Sequence, residues 1–436
     1  IEKRKRAGTF FQVNHEVLLT ALKEEGVELT SSTEALKKYP WLEKYWWKAV
    51  KQDKDEYTRE VAKDQHHGYF IRALPGRKIS LPLQACLFIS KDKVRQNVHN
   101  IIIAEEGSEL HIITGCASGK DVISGMHFGI TEVYVKKNAL LSFTMIHRWG
   151  EEFEVRPRTG VIIEEGGTYI SNFVCMHGVK TLEMYPQAYC YKNAVARFNT
   201  VLVAPQNTSF DIGSKVYLEG ENSRAEIISR GITRGGEIIA RGCLVGKAEN
   251  AKGHLECRGL ILSEVGRMLA IPELEARVKG AELTHEAAVG KIAEEEISYL
   301  MARGLTKDEA TSMIVRGFLN IEIEGLPEEL KKEVKKAIEK VEEVEGTEKK
   351  VMVEGEVKPG KTPLTILKGL GAKTAQKFAE VGIESVEELA EEDAELLSEA
   401  LGIKKERVAS WIDEAKDIVK KSGGRRKATK KRRVEN

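Results

Sequence analysis

A short turn motif recurs along the middle of this chain at nearly constant spacing, and it constrains the fold more than any other feature. In each copy a charged residue is followed by Gly or Asn and then by a small residue, after which an alternating strand pattern begins. The central residues of the seven copies are Gly107, Asn138, Gly166, Asn193, Asn222, Asn250 and Gly280. The steps between them are 31, 28, 27, 29, 28 and 30 residues.

This period, combined with strand patterning, predicts a solenoid. Gly and Asn tolerate a positive φ, so each copy can turn the chain at the same corner of a coil. At about 3.3 Å per residue, one repeat suffices for a flattened coil with two long sides. Residues that are one period apart in the sequence therefore become neighbours on adjacent coils.

The pattern divides the chain into six segments. The mixed aromatic and polar start predicts a helical cap, whose cluster Trp41, Tyr45, Trp46 and Trp47 we expect to pack on the end of the solenoid. A binding role for that cluster is the alternative. The segments are a helical cap (1–75), a solenoid core (76–286), a second helical region (287–330), a charged helix and linker (331–362), a small helical domain (363–419) and a basic disordered tail (420–436).

Composition excludes several classes of protein. The net charge is +1, although Lys420 to Arg433 holds nine Lys or Arg and no acidic residue. The six cysteines form no CxxC pair, which argues against a disulfide scaffold and a local zinc knuckle. The start lacks the apolar stretch of a signal peptide, so we expect a cytoplasmic protein. A polysaccharide-acting enzyme is disfavoured, because neither an export signal nor a paired-carboxylate site is evident.

Cys257 and His285 are 28 residues apart, which is one period of the repeat. With Glu286 they offer a thiolate, an imidazole and a carboxylate, a set that suits iron or zinc. A Cys beside a His is also a potential sulfur nucleophile. The alternative, which spacing alone favours, is a buried core cysteine and a helix-capping histidine. Cys116 lies between small residues and is either an accessible thiol or a structural one.

From Gly253 to Phe318 the chain resembles the carboxyl half of the SufB/SufD scaffold family of iron–sulfur cluster assembly, and the similarity covers about residues 5–330. A Cys followed one coil later by a His-Glu pair is more similar to SufB than to SufD. The residues that carry the resemblance are Cys257, Thr284-His285-Glu286-Ala287, Val289-Gly290-Lys291-Ile292, Arg303-Gly304 and Ser312 through Phe318.

The resemblance implies a right-handed parallel β-helix and a scaffold, not an enzyme, that receives sulfur and iron and builds a transient iron–sulfur cluster. By position, Cys257 would accept sulfur and bind the cluster, with His285 and Glu286 as further ligands or proton handlers. Cys116 would match the cysteine at which sulfur enters, with Trp149 nearby. The family often has Gln where this chain has His147.

The resemblance also implies partners. A SufC-type ABC ATPase would dock on the helices near residues 290–319, and ATP hydrolysis would belong to it, since this chain has no GxxxxGK[ST] phosphate loop. A second SufB/SufD-like subunit, in a homodimer or in a heterodimer with a SufD-like paralogue, is expected to complete the site. A cysteine desulfurase or another donor would supply the sulfur.

The C-terminal domain resembles a helix-hairpin-helix module. Its hairpin sequence includes Lys368, Gly369, Gly371 and Lys373, whose backbone amides and side chains could contact a phosphate. With the basic tail, this module gives the alternative function, nucleic-acid binding. A protein-interaction module is equally compatible, because the following surface, around Glu387 to Asp393, is acidic.

Overall fold

The computed structural model describes residues 6–319 and, with gaps, residues 362–431. The chain divides into two compact units, one that contains the strands and one that contains the C-terminal helices. Almost all of the charged helix and linker predicted at 331–362 lies outside the described residues. No helix in the described part of the chain is long and apolar enough to cross a membrane.

Strands account for nearly half of the structure, as the repeat predicted. In chain order they are β1 (Gly8–Val13), β2 (Glu16–Leu22), β3 (Val27–Ser31), β4 (Tyr69–Ala73), β5 (Leu83–Ile89), β6 (Val94–Ala104), β7 (Glu109–Ser118), β8 (Ser124–Val135), β9 (Leu140–Arg148), β10 (Glu152–Val155), β11 (Arg158–Ile163), β12 (Thr168–Cys175), β13 (Thr181–Met184), β14 (Gln187–Cys190), β15 (Val195–Pro205), β16 (Ser209–Leu218), β17 (Arg224–Arg234), β18 (Glu237–Gly246), β19 (Lys252–Ile261), β20 (Arg267–Ala276) and β21 (Glu282–Gly290).

These strands form two long sheets, the two sides of a parallel β-helix of about eight turns. The first sheet has the order β2-β1-β5-β7-β9-β12-β15-β17-β19-β21. The second runs through β8, β11, β14 and β16 to β18 and β20, with β3, β4 and β6 at its other end. Pairing is parallel except between β1 and β2 and between β3 and β4. The predicted fold is therefore confirmed.

The seven repeated Gly and Asn residues are the corners of the coils. Each has a positive φ, from 55° at Asn138 to 95° at Gly280. At five of these corners the amide also donates a hydrogen bond to the next coil, for example Asn138 N–H to the Glu165 carbonyl (3.0 Å) and Asn193 N–H to the Glu221 carbonyl (2.9 Å). The corners thus add their own column of hydrogen bonds to those of the sheets.

The described residues also form helices. They are α1 (Ser32–Lys38), α2 (Glu56–Lys63), α3 (Glu294–Ala302), α4 (Lys307–Leu319), α5 (Val386–Leu389), α6 (Ala394–Leu401) and α7 (Lys405–Lys431), with 3₁₀ turns at Pro40–Lys44 and Leu364–Ile366.

The expectation of a helical cap at 1–75 was wrong in part. Strands β1 to β4 occupy much of this segment, because β1 pairs in parallel with β5 and β2 then covers the open edge of β1. Trp41, Tyr45 and Trp46 pack on Phe70, Ile101, Ile103 and Tyr134 of the second sheet, on its flank and not on the end of the solenoid. Trp41 lies in a 3₁₀ turn (Pro40–Lys44), and Tyr45, Trp46 and Trp47 lie in the turn that follows it.

A buried carboxylate holds this segment in place. Glu132 in β8 is fully buried and accepts hydrogen bonds from the backbone amides of residues 47–50 and from His99 Nε2 (2.9 Å). A buried charge needs this number of donors to offset its desolvation.

The C-terminal end of the solenoid differs from the N-terminal end. Helix α4 packs Val315 and Phe318 on the outer face of the first sheet, against Val201 and Ile232. Within the described residues β20 and β21 pair only with β18 and β19. The last coil therefore leaves two strand edges exposed.

The second unit has its own apolar core, formed by residues such as Leu367, Phe378, Leu397 and Trp411. Helix α7 continues to Lys431, so the backbone from 420 to 431 is helical where we expected disorder. Lys and Arg, which are seven of the twelve residues from 420 to 431, have high helix propensity.

The corners can be tested at Asn193, which is exposed and has φ 56°. Asn193→Ala should lower the free energy of unfolding by about 1 kcal/mol, because an ordinary L residue pays for the left-handed conformation, while Asn193→Gly should change it by less than about 0.5 kcal/mol. Chemical denaturation measures both, with Lys192→Ala as the control at the preceding exposed position. Equal stability of the Ala and Gly variants would contradict the role assigned to the corner.

Candidate functional site

Cys257 lies in β19 with its side chain directed into the solenoid. It is fully buried, and it pairs with Ser229 of β17 on one side and Ala287 of β21 on the other. Burial raises the pKa of the Cys257 thiol to about 11, and the adjacent Glu256 carboxylate adds to the rise. In the chain by itself this cysteine is therefore a protonated thiol and a poor nucleophile at neutral pH.

His285 lies on the next coil, as predicted, but it is not directly opposite Cys257. Its partner in β19 is Leu255, because the local coil is 30 residues long and brings Ala287 beside Cys257. The offset of two residues keeps His285 and Cys257 on the same face of the sheet. His285 is nevertheless exposed, since β21 is the last strand of its sheet.

Glu286 lies on the opposite face. It pairs with Glu256, whose side chain alternates with that of Cys257 along β19. In this chain Cys257 and Glu286 are thus separated by the sheet, and the three residues predicted as one ligand set do not converge.

A different trio does converge on the outer face. His254, Glu256 and Glu286 place one ligand atom each within 4.8 Å of one another. Our sequence reasoning missed His254 and Glu256. The signal that could have revealed them is a His-x-Glu pair, which shares one face of a strand, followed by a Glu one coil later.

Cys116 lies within β7 and is 4% exposed, so it is not an accessible corner thiol. It stands in a column with His147 of β9 and Cys175 of β12, on three successive coils. Burial raises the pKa of Cys116 well above its ordinary range, with a further contribution from Cys86. Trp149 Nε1 donates to His147 Nδ1 at 3.4 Å, which places this tryptophan beside the column.

Cys116 and Cys257 are far apart. Five strand spacings separate β7 from β19 in the first sheet, which corresponds to roughly 24 Å. Sulfur exchange between thiols requires contact of the two sulfur atoms. Direct transfer between these residues is therefore impossible in this conformation.

In the helix-hairpin-helix unit, Gly369 has φ 76°, as a tight hairpin requires. The Lys368 backbone amide donates to the Glu414 carboxylate (3.1 Å), and Trp411 Nε1 donates to the Lys368 carbonyl (3.0 Å). The Glu414 carboxylate thus occupies the backbone amide of Lys368, which a phosphate would need as a hydrogen-bond donor. Gly371 precedes the next helical residues, and Lys373 lies outside the described residues. The hairpin does not favour nucleic-acid binding over protein interaction.

Comparison with known proteins gives two family matches. Residues 87–318, more than half of the chain, match the family model described as SUF system FeS cluster assembly, SufBD core domain. Residues 362–417 match the model described as SAM-like helix-hairpin-helix tandem.

Individual relatives agree with the first match. An iron-sulfur cluster assembly SufBD family protein of Archaeoglobus fulgidus is 54% identical over 342 residues, which are 78% of this chain and 92% of that protein. A SufBD family protein of Pyrococcus horikoshii is 32% identical, over 78% of this chain and 77% of its own length. The iron-sulfur cluster assembly protein SufB of Bacillus subtilis is 29% identical, over 77% and 74%.

The buried His147 makes stability depend on pH. Burial lowers its pKa to about 3, with a smaller contribution from His127, whereas an unfolded His titrates near 6.5. Below pH 6.5 the unfolded chain therefore binds a proton that the folded chain does not, and stability falls as pH falls.

We predict that His147→Gln removes this contribution. Between pH 7.5 and 5.0 the variant should lose about 2 kcal/mol less unfolding free energy than the wild type, which urea titrations at the two pH values measure. Cys175→Ser, a buried change in the same column, should keep the wild-type pH dependence. Parallel curves for His147→Gln and the wild type would contradict this, because they would show that the imidazole takes up a proton as readily in the folded chain as in the unfolded one.

Proposed function

Because this chain belongs to the SufBD family of iron–sulfur cluster assembly proteins, we propose that it is the scaffold on which sulfur and iron are combined, with Cys257 as the sulfur acceptor and cluster ligand. The observation that carries the proposal is the position of Cys257. It is the buried inner-face thiol one strand from the open end of the solenoid, with His285 exposed on the same face of the last coil.

The open end supports a second scaffold subunit as a partner. Strands β20 and β21 expose their edges there, together with the apolar side chains of Leu269, Leu274 and Val289, each about 40% exposed. An exposed strand edge with apolar residues readily pairs with another chain. We assign this end to a homodimer interface, across which His285 and Glu286 would join Cys257 of the partner around a transient cluster.

Helices α3 and α4 support docking of an ABC ATPase. They expose Tyr299 (60%), Met301 (45%) and Met313 (50%), which is typical of a protein-binding surface. ATP hydrolysis would take place in that partner. The sulfur would come from a cysteine desulfurase or another persulfide donor, and the role of Cys116 as the first acceptor stays a prediction from the resemblance.

A chain of contacts links this docking surface to the buried thiol. Arg230 of β17 donates through Nη1 to the carbonyl of Phe318 at the end of α4 (3.0 Å). The same guanidinium lies 3.5 Å, through Nη2, from Glu256, the residue that precedes Cys257. Displacement of α4 by the ATPase would therefore pull on the strand that carries the thiol, which gives ATP-driven movement a route to expose Cys257.

The central test is cluster formation on the complex with its ATPase. Cys257→Ala should abolish cluster build-up in anaerobic reconstitution followed by absorbance, because the sulfur-accepting thiol is gone, while ATPase docking stays intact. Cys190→Ala, which removes another fully buried thiol, should retain the wild-type yield. A normal cluster yield from Cys257→Ala would overturn the proposal.

Docking is tested separately at the exposed apolar residues. The double variant Tyr299→Asp, Met313→Asp should weaken ATPase binding at least tenfold in a pull-down or calorimetric titration, since each change places a charge in an apolar interface. Ile123→Asp, which alters a residue that is 60% exposed and far along the chain from these helices, is the matched control. Unchanged binding by the double variant would place the ATPase elsewhere.

A further inference from the structure

The trio on the outer face of β19 and β21 has the geometry of a metal site. His254 and Glu256 are two residues apart on one strand, and Glu286 is the register partner of Glu256. Bonds of 2.0–2.2 Å to one ion place its ligand atoms up to roughly 4.3 Å apart. The separations of at most 4.8 Å therefore need only small side-chain rotations. In the part of the chain that the structure describes, no second group of three such residues comes together.

Hydrogen bonds prepare the imidazole for this role. The Thr284 hydroxyl donates to the Gly253 carbonyl (3.4 Å), so its oxygen accepts the hydrogen bond from Nδ1–H of His254 (2.9 Å). This arrangement leaves the lone pair on Nε2 of His254. Metal-binding histidines are oriented in this way, by a hydrogen bond from their other ring nitrogen.

Glu256 gives a second argument for a cation at this site. It is only 9% exposed, and its Oε1 accepts no hydrogen bond. Its contacts are ion pairs with Arg258 Nε (3.1 Å) and Arg230 Nη2 (3.5 Å). These guanidinium groups offset part of the cost of burying the carboxylate, and a metal ion would supply the same compensation by direct coordination.

Arg258 currently supplies the positive charge between the two carboxylates. Its Nη2 lies 2.9 Å from Glu286, and its Nε contacts Glu256. The Arg258 side chain is 39% exposed, so it can turn toward solvent. A metal ion that binds the trio would take the place of this guanidinium.

We propose that His254, Glu256 and Glu286 bind the ferrous iron that is consumed in cluster assembly. One imidazole and two carboxylates form a donor set that suits Fe²⁺. Glu286 is 55% exposed, so the ion reaches the site from solution. Cys257 follows Glu256 directly, so the iron is held one residue from the sulfur acceptor, on the other face of the sheet. The identity of the ion rests on the proposed function.

The test is a calorimetric titration of the full-length chain with Fe²⁺ alone, under anaerobic conditions. The wild type should bind one ion at this site, and His254→Ala and Glu256→Gln should each weaken binding at least tenfold. Glu282→Gln is the control. It changes another outer-face carboxylate of β21, which is ion-paired with Lys252, and this variant should bind Fe²⁺ as the wild type does. Arg258→Gln should bind more tightly, because the competing guanidinium is gone.

Cys257→Ala separates this inference from the proposed function. It should bind Fe²⁺ with unchanged affinity, although it forms no cluster. If it formed clusters normally, the proposed function would fail while the iron site stood. The iron site is refuted if the wild type binds no Fe²⁺, if His254→Ala and Glu256→Gln bind as well as the wild type, if Arg258→Gln binds more weakly, or if Cys257→Ala loses the ion. Circular dichroism confirms that each variant is folded.

Discussion

In-register backbone hydrogen bonding between successive coils is the interaction on which the rest of this structure depends. Strand β17 pairs with β19 from Arg224 and Lys252 through Thr233 and Ile261 without a shift. Because side chains alternate along a strand, this register decides that Cys257 faces the core and Glu256 faces outward. A slip of one residue would exchange the two. The left-handed Gly and Asn corners keep the register by turning each coil at the same point.

The sequence allowed the solenoid to be predicted because its corners need a particular backbone conformation, which Gly and Asn supply. The local register was not predictable in the same way. The 28-residue spacing placed His285 on the coil after Cys257, but the coil itself has 30 residues, so His285 stands opposite Leu255. The strands near the N-terminus were missed because β1 is stabilised by β5, a residue stretch more than seventy positions away.

The candidate site was also only partly predictable from the sequence. His254 and Glu256 belong to residue types that are common on any surface, and their meaning depends on Glu286 being their neighbour across the sheet. The depth of Cys257 was equally hidden from sequence reasoning. Burial raises the pKa of this thiol to about 11, so the proposed function requires the end of the solenoid to open before the thiol can accept sulfur. The contacts from α4 through Arg230 to Glu256 connect that opening to a surface helix.

We therefore propose that Cys257 is protected in the resting chain and is exposed by the ATP-bound partner. The most direct measurement is the alkylation rate of Cys257 by iodoacetamide, followed by peptide mass spectrometry, for the chain alone and for its complex with the ATPase, with and without ATP. We predict protection in the chain alone and rapid labelling in the complex with ATP. Rapid labelling of the chain alone, or equal protection in the ATP-bound complex, would contradict the account.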